Sequence, residues 1–184
     1  MRLTSTLPTT GTYVIDPAHT EVGFVARHLI GTKVRGRFTE ASGTIVIADP
    51  IESSSVEAEV EAASINTNVG MRDDHLRTND FLDVPNNPKL TLKSTGLKRT
   101  SDDEWELTAD LTIRGVTKSV VFDVEFLGAG PGMQPGSEVI GLSATTEIDR
   151  RDFGVSFNGV LDGGAIVVGN KVKIELEVEA GLQQ

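Results

Sequence analysis

His19, His28 and His75 are the only imidazoles in a chain of 184 residues that contains no cysteine. A metal would need several such ligands to converge with carboxylates, yet no His-Glu-x-x-His spacing occurs. His19 and His28 stand nine apart, an odd separation that points side chains of one straight strand to opposite faces. No metal is expected. Asp73, Asp74, Asp80 and Asp83 are dense enough for paired acid–base work, but Arg72 and Arg77 lie among them. Helix caps and ion pairs explain that pattern more cheaply. The nucleophile signatures Gly-x-Ser-x-Gly and the Walker loop are missing, and Gly128, Gly130 and Gly132 make no dinucleotide fingerprint because position 133 is Met. The chain therefore reads as a non-enzyme without a cofactor. Asp149-Arg150-Arg151-Asp152 and Arg114 read as structural ion pairs; the alternative is that Arg114, Arg150 or Arg27 offers a planar fork to a pyrophosphate or carboxylate head group.

The elements that must position these residues are almost all strands. Val56, Ala58, Val60 and Ala62 alternate with Glu57, Glu59 and Glu61, giving one dry and one wet face. Similar alternation runs through Val22–His28, Lys33–Phe38, Lys89–Lys93, Trp105–Arg114, Val120–Phe126, Ile140–Ile148 and Lys171–Glu179. Gly128 to Gly136 reads as a flexible loop, and 149–164 as a loop with turns at Asn158-Gly159 and Asp162-Gly163-Gly164. One stretch breaks the pattern. Between residues 68 and 83 the spacing predicts a short helix, capped from Asn66, Thr67 or Asn68, with Asp73 paired to Arg77 and a second turn at Asp80-Phe81-Leu82. Pro85 and Pro88 stop it.

Eight to ten strands joined by short turns imply an all-β fold, an extended antiparallel barrel of about eight strands. The short helical segment is expected to cover one side or mouth. Residues 1–11 read as a loose arm and 12–182 as a single domain, with no internal repeat and no linker. The net charge of −10 argues against nucleic acid and against a constitutive hold on anionic membrane. No apolar run is long enough to span a bilayer, and no signal-peptide core is visible at the N-terminus, so a cytoplasmic setting is expected.

The dry faces mix large and small residues. Phe24, Ala26, His28 and Phe38 come from the early strands; Val56, Ala58, Val60 and Ala62 from the glutamate-rich one; Trp105, Leu107, Phe122, Val124 and Phe126 from the later ones. Eight strands leave an interior that side chains can just fill or that holds one slender ligand. Both outcomes stand on periodicity alone. His28 falls in the dry register, as an interior hydrogen-bonding residue or as a contact for a polar head.

The motifs go further. Tyr13-Val-Ile-Asp16-Pro17-Ala-His19, Val34-Arg-Gly36-Arg-Phe38, Arg72-Asp-Asp-His75-Leu76-Arg77-Thr-Asn-Asp80-Phe81-Leu82-Asp83, Leu111-Thr-Ile-Arg114-Gly115 and Ile148-Asp-Arg150-Arg-Asp152-Phe153-Gly154 resemble the YceI-like, polyisoprenoid-binding family from Tyr13 to Ala180. Thr20, Asn66 and Asp149 depart from its usual Ser, Asp and Asn. The resemblance implies a lipocalin-like barrel, closed at one side by the helical segment, whose apolar tunnel holds a long isoprenoid for carriage, storage or sequestration. His75, Leu76 and Phe81 are expected near the mouth or the helical cover, and the resemblance suggests a homodimer. A fatty acid or fatty amide is the alternative guest, in a stress-response role; an enzyme acting on an isoprenoid, with His28 at the wall, is the remaining rival. Ala58→Phe or Ala62→Phe is expected to block the tunnel.

Overall fold

The computed structural model describes residues 7–159 and 167–184. Its strands are β1 (Gly11–Ile15), β2 (Glu21–His28), β3 (Thr32–Phe38), β4 (Ala41–Ile47), β5 (Ser55–Glu61) and β6 (Ile65–Asn66), followed by helix α1 (Gly70–Leu76). Then come β7 (Lys89–Arg99), β8 (Glu104–Ile113), β9 (Val116–Pro131), β10 (Glu138–Asp149) and β11 (Lys171–Leu182). All pairings are antiparallel. The order β1-β4-β5-β7-β8-β9-β10-β11, closed by β1 against β11, makes an eight-stranded barrel. Closure removes most of the free edges that so strand-rich a chain would otherwise expose, although β3 has a second partner only at Arg37 and Phe38. Among the described residues no helix is long and apolar enough to cross a membrane.

The first half of the chain supplies the wall in bent pieces. β11 pairs with β1 through Ala180–Leu182 and with β2 through Lys173–Glu177, so β1 and β2 occupy one position in the wall. Asp16 makes the bend between them: its carboxylate accepts the Ala18 amide at the start of a 3₁₀ turn, with Pro17 pre-set for it. β3 and β4 flank the same bend one strand over, pairing with β2 and β1. β5 then pairs with β4 and β7, whereas β6 pairs only with β3. At that end the wall lacks a strand, and residues 67–88 with α1 fill the gap.

The interior is packed in two places. Near α1, Phe81 and Leu82 join Ile65, Leu111, Ile113, Ile148, Phe153 and Val155. At the opposite end Tyr13, Ile15, Ile45, Ile140 and Ala180 form a second cluster. Tyr13 is completely buried, and its hydroxyl donates to Thr9 O (2.8 Å) and Glu138 Oε1 (2.9 Å).

Several expectations are corrected. The Gly128–Gly136 stretch is strand up to Pro131, because β10 pairs with it residue by residue past a bulge at Gly141/Leu142; only the turn beyond is loop. Part of the expected arm is held: the Thr9 amide and hydroxyl both bond Glu138, and Pro8 is buried. The 149–164 loop begins with a 3₁₀ turn, Arg150–Phe153; the turn at Asp162-Gly163-Gly164 lies outside the described residues. Helix α1 has no side-chain cap at Val69. Instead Asp73 reaches back to the Thr67 amide (2.8 Å) and hydroxyl (2.6 Å), and Arg77 pairs with Asp74 rather than Asp73.

Candidate functional site

Side chains of both clusters face a common space inside the barrel. A cavity of about 360 Å³ lies along its interior, within the range of small-ligand sites, about 300–1,000 Å³. Its lining on β8 reaches from Trp105 to Ile113 and on β10 from Ile140 to Ile148, roughly 26 Å of strand at about 3.3 Å per residue. The wall is nearly all hydrocarbon. Asp102 and Arg150 are the only ionisable side chains that line it among the described residues.

Alternation creates the room. On β5 and β7 every second side chain points inward, yet Val56, Ala58, Val60, Leu90 and Leu92 stay only half-buried. A filled core would have covered them. Small residues set the wall back where large ones approach. Phe24 lies across Gly36, its partner in the ladder, and any Cβ at Gly36 would collide with the Phe24 ring. The ring thus rests flat on the wall beside Phe38 (centroids 5.8 Å apart) and leaves the lumen open. Gly43 sits against Ala58 in the same way, 2.9 Å from its Cα if it carried a Cβ.

Phe24, Ala26, Phe38, Val56, Ala58, Val60, Leu76, Phe81, Trp105, Leu107, Phe122, Val124 and Phe126 come together around this cavity. Three expected residues do not. β5 ends at Glu61, and Ala62 turns into a 3₁₀ segment whose amide bonds Pro88 O (2.9 Å); Ala62 is buried in the wall. His28 lies where β2 is about to turn and bridges Val168, which itself lines the cavity. His75 stands behind Phe81, its Nε2 bonded to Asp80 (2.8 Å) and its ring edge-on to Phe81 and Phe157 (5.1 and 5.2 Å). Sequence reasoning passed over Ile140, Leu142, Ile148, Val172, Ile174 and Leu176, which line the opposite wall. Their strands carry the same alternation as the rest of the wall.

All three arginines are engaged by the backbone. Each donates to backbone carbonyls. Arg114 holds Asn79 O (2.6 Å) and Phe81 O (2.7 Å), fixing the segment after α1. Arg27 bonds Gly31 O (2.8 Å). Arg150 is buried and donates to Val155 O (2.7 Å), Phe157 O (2.8 Å), Gly169 O (3.0 Å) and Val168 O (3.4 Å), tying residues 155–157 to residues 168–169. Burial pushes its guanidinium below its ordinary pKa, an effect the nearby Asp149 charge opposes. Among the described residues no buried side-chain nitrogen or oxygen lacks a partner.

Asp16, His19 and Glu179 form a group that could hold a cation, with His19 Nδ1 2.8 Å from Asp16 and 4.0 Å from Glu179. Exposed ion pairing accounts for it. The bond to Asp16 and the Asp16 and Glu179 charges raise the pKa of His19.

Comparison with known proteins gives this geometry a setting. The family described as YceI-like domain matches residues 13–180. A UPF0312 protein of Staphylococcus aureus is 32% identical over 174 residues, 94% of this chain and 98% of that one. The Campylobacter jejuni YCEI protein superposes with a TM-score of 0.74 at 28% identity, over 86% of this chain and 90% of that one. Burkholderia cenocepacia BcnA has the same fold (TM-score 0.76, 19% identity, 90% and 98% covered). So does a polyisoprenoid binding domain from Saccharophagus degradans implicated in plant cell wall breakdown (TM-score 0.70, 13% identity, 95% and 100% covered).

Proposed function

The chain belongs to the YceI-like family, and from that premise we propose that it is a lipid-binding protein, not an enzyme, that holds one polyisoprenoid tail inside its barrel. One observation carries this reading: a cavity along the barrel whose wall is nearly all hydrocarbon, lined by inward side chains that the fold leaves half-covered. Each buried CH₂ contributes ~0.8 kcal/mol. Ten buried carbons therefore contribute on the order of 8 kcal/mol before the cost of association. Such a grip selects for length and slenderness, because the wall offers a guest little besides hydrocarbon. Carriage, storage and sequestration all follow from it.

The test is mass spectrometry of an organic extract of the purified protein. An isoprenoid chain, quinone-like or prenyl-diphosphate-like, is expected. A fatty acid or fatty amide in its place would keep the lipid-binding reading and remove the isoprenoid. Ala58→Phe puts a ring into the lumen opposite Leu92 and is expected to abolish co-purification while the barrel stays folded by circular dichroism. Retention of lipid by that variant overturns the assignment of the cavity. Size-exclusion chromatography of loaded and extracted protein tests homodimerisation.

A further inference from the structure

The turn between β2 and β3 carries two large apolar side chains into solvent. Ile30 is fully exposed and Leu29 is 46% exposed. Leu29 also takes a left-handed φ of 46°, uncommon for so bulky a residue.

Behind this tip, Arg27, Lys33, Arg35 and Arg37 stand exposed on the outer face of the same hairpin. Four of the chain's 17 cations and none of its 27 acids fall between Val22 and Thr39. Arg27 is directly opposite Lys33 in the ladder, an arrangement that costs stability unless an anion neutralises it. Glu175 of β11 is shared between Arg35 (3.4 Å) and Lys173 (3.4 Å). Lys33 and Arg37 have no ion pair among the described residues.

An apolar point backed by cations matches the chemistry of an anionic phospholipid surface. Hydrocarbon enters the headgroup boundary while the cations meet phosphates. The chain's net charge of −10 opposes a hold on such a surface by the molecule as a whole, so contact depends on this acid-free hairpin. We propose that the β2–β3 tip docks on anionic bilayers and brings the adjacent end of the cavity to the lipid. The tip and the cavity are continuous. The Leu29 amide bonds Val167 O (3.0 Å), His28 bridges Val168, and Ala26 and Val168 line the lumen. The docking goes beyond tail binding and stands or falls separately from it.

Flotation with vesicles of phosphatidylcholine, with and without phosphatidylglycerol, tests the idea on the full chain. Wild type is expected to float with the anionic vesicles only, and less so as salt rises. Ile30→Asp, at a fully exposed position, is expected to lower partition on the order of tenfold or more, and Lys33→Glu about fivefold or more. Both variants should still co-purify with lipid, which reads the tail site independently. Equal flotation of wild type and Ile30→Asp overturns the proposal. So does a wild type that ignores anionic vesicles, whether Lys33→Glu then aggregates, marking the cations as guards of the β3 edge, or Ile30→Asp dissolves an oligomer, marking a second copy as the occupant.

Discussion

Gly36 is where a single atom decides the volume of the lumen. Adding a Cβ there lifts the Phe24 ring off the wall and into the cavity. Gly36→Val is expected to shorten the longest tail that co-purifies and to cost about 1–3 kcal/mol by overpacking, read from the extract and from urea midpoints. The carboxylates give a second prediction. Hydrogen bonds from the Thr9 hydroxyl and amide, with a further one from Tyr13, hold Glu138 below its ordinary pKa. The Arg151 guanidinium holds Asp149 well below the usual carboxylate range. Between the lowered and the ordinary values the folded chain binds fewer protons than the unfolded one. Their contribution is therefore complete above pH ~5, beyond both ordinary values, and is lost as pH falls through the lowered ones. Glu138→Gln with Asp149→Asn should flatten the acid limb of stability in denaturant melts across pH. Inward residues such as Phe24 and Ala58 were legible from alternation alone. The arginines were not, because backbone carbonyls leave no signature in a sequence.

The segment from Ala62 to Pro88 replaces a missing stretch of wall with a plug. Its shape depends on side chains bonding backbone: Arg77 to Ala63 O (2.9 Å) and Ile65 O (3.1 Å), Arg114 to Asn79 O and Phe81 O, and Asp73 to Thr67. Asp73→Ala strands the buried Thr67 amide and hydroxyl. It is expected to cost about 2–3 kcal/mol, seen as an earlier urea midpoint with unchanged slope. Asp73→Asn should recover part of the loss. The helix was readable from the break in period two, yet its anchoring ran opposite to expectation: the helix caps the turn before it. The 3₁₀ turn at Ala62 was hidden for a related reason. Alternation continues through Ala62 in the sequence, and only the bond from its amide to Pro88 takes it out of the strand.

The barrel as a whole is a core with its middle removed. Ligand that binds only the folded state adds stability of RT ln(1 + [L]/Kd), ~2.7 kcal/mol at a hundredfold excess over Kd. Extracted protein should accordingly melt several degrees below loaded protein and regain the difference when an isoprenoid is added back. The closed eight-strand ring was legible as a fold class, but whether it held a void was not, since packing density follows from how rings such as Phe24 lie rather than from which residues face inward. The way the ring closes has one more effect. β11 joins β10, β1 and β2 together, and β1 and β2 lie near the other end of the sequence. During synthesis the oily inner surface thus stays uncovered until Lys171–Leu182 has left the ribosome. Closure of the ring is consequently a long-range event, slow by the rule that distant pairings delay folding, and it waits on β11.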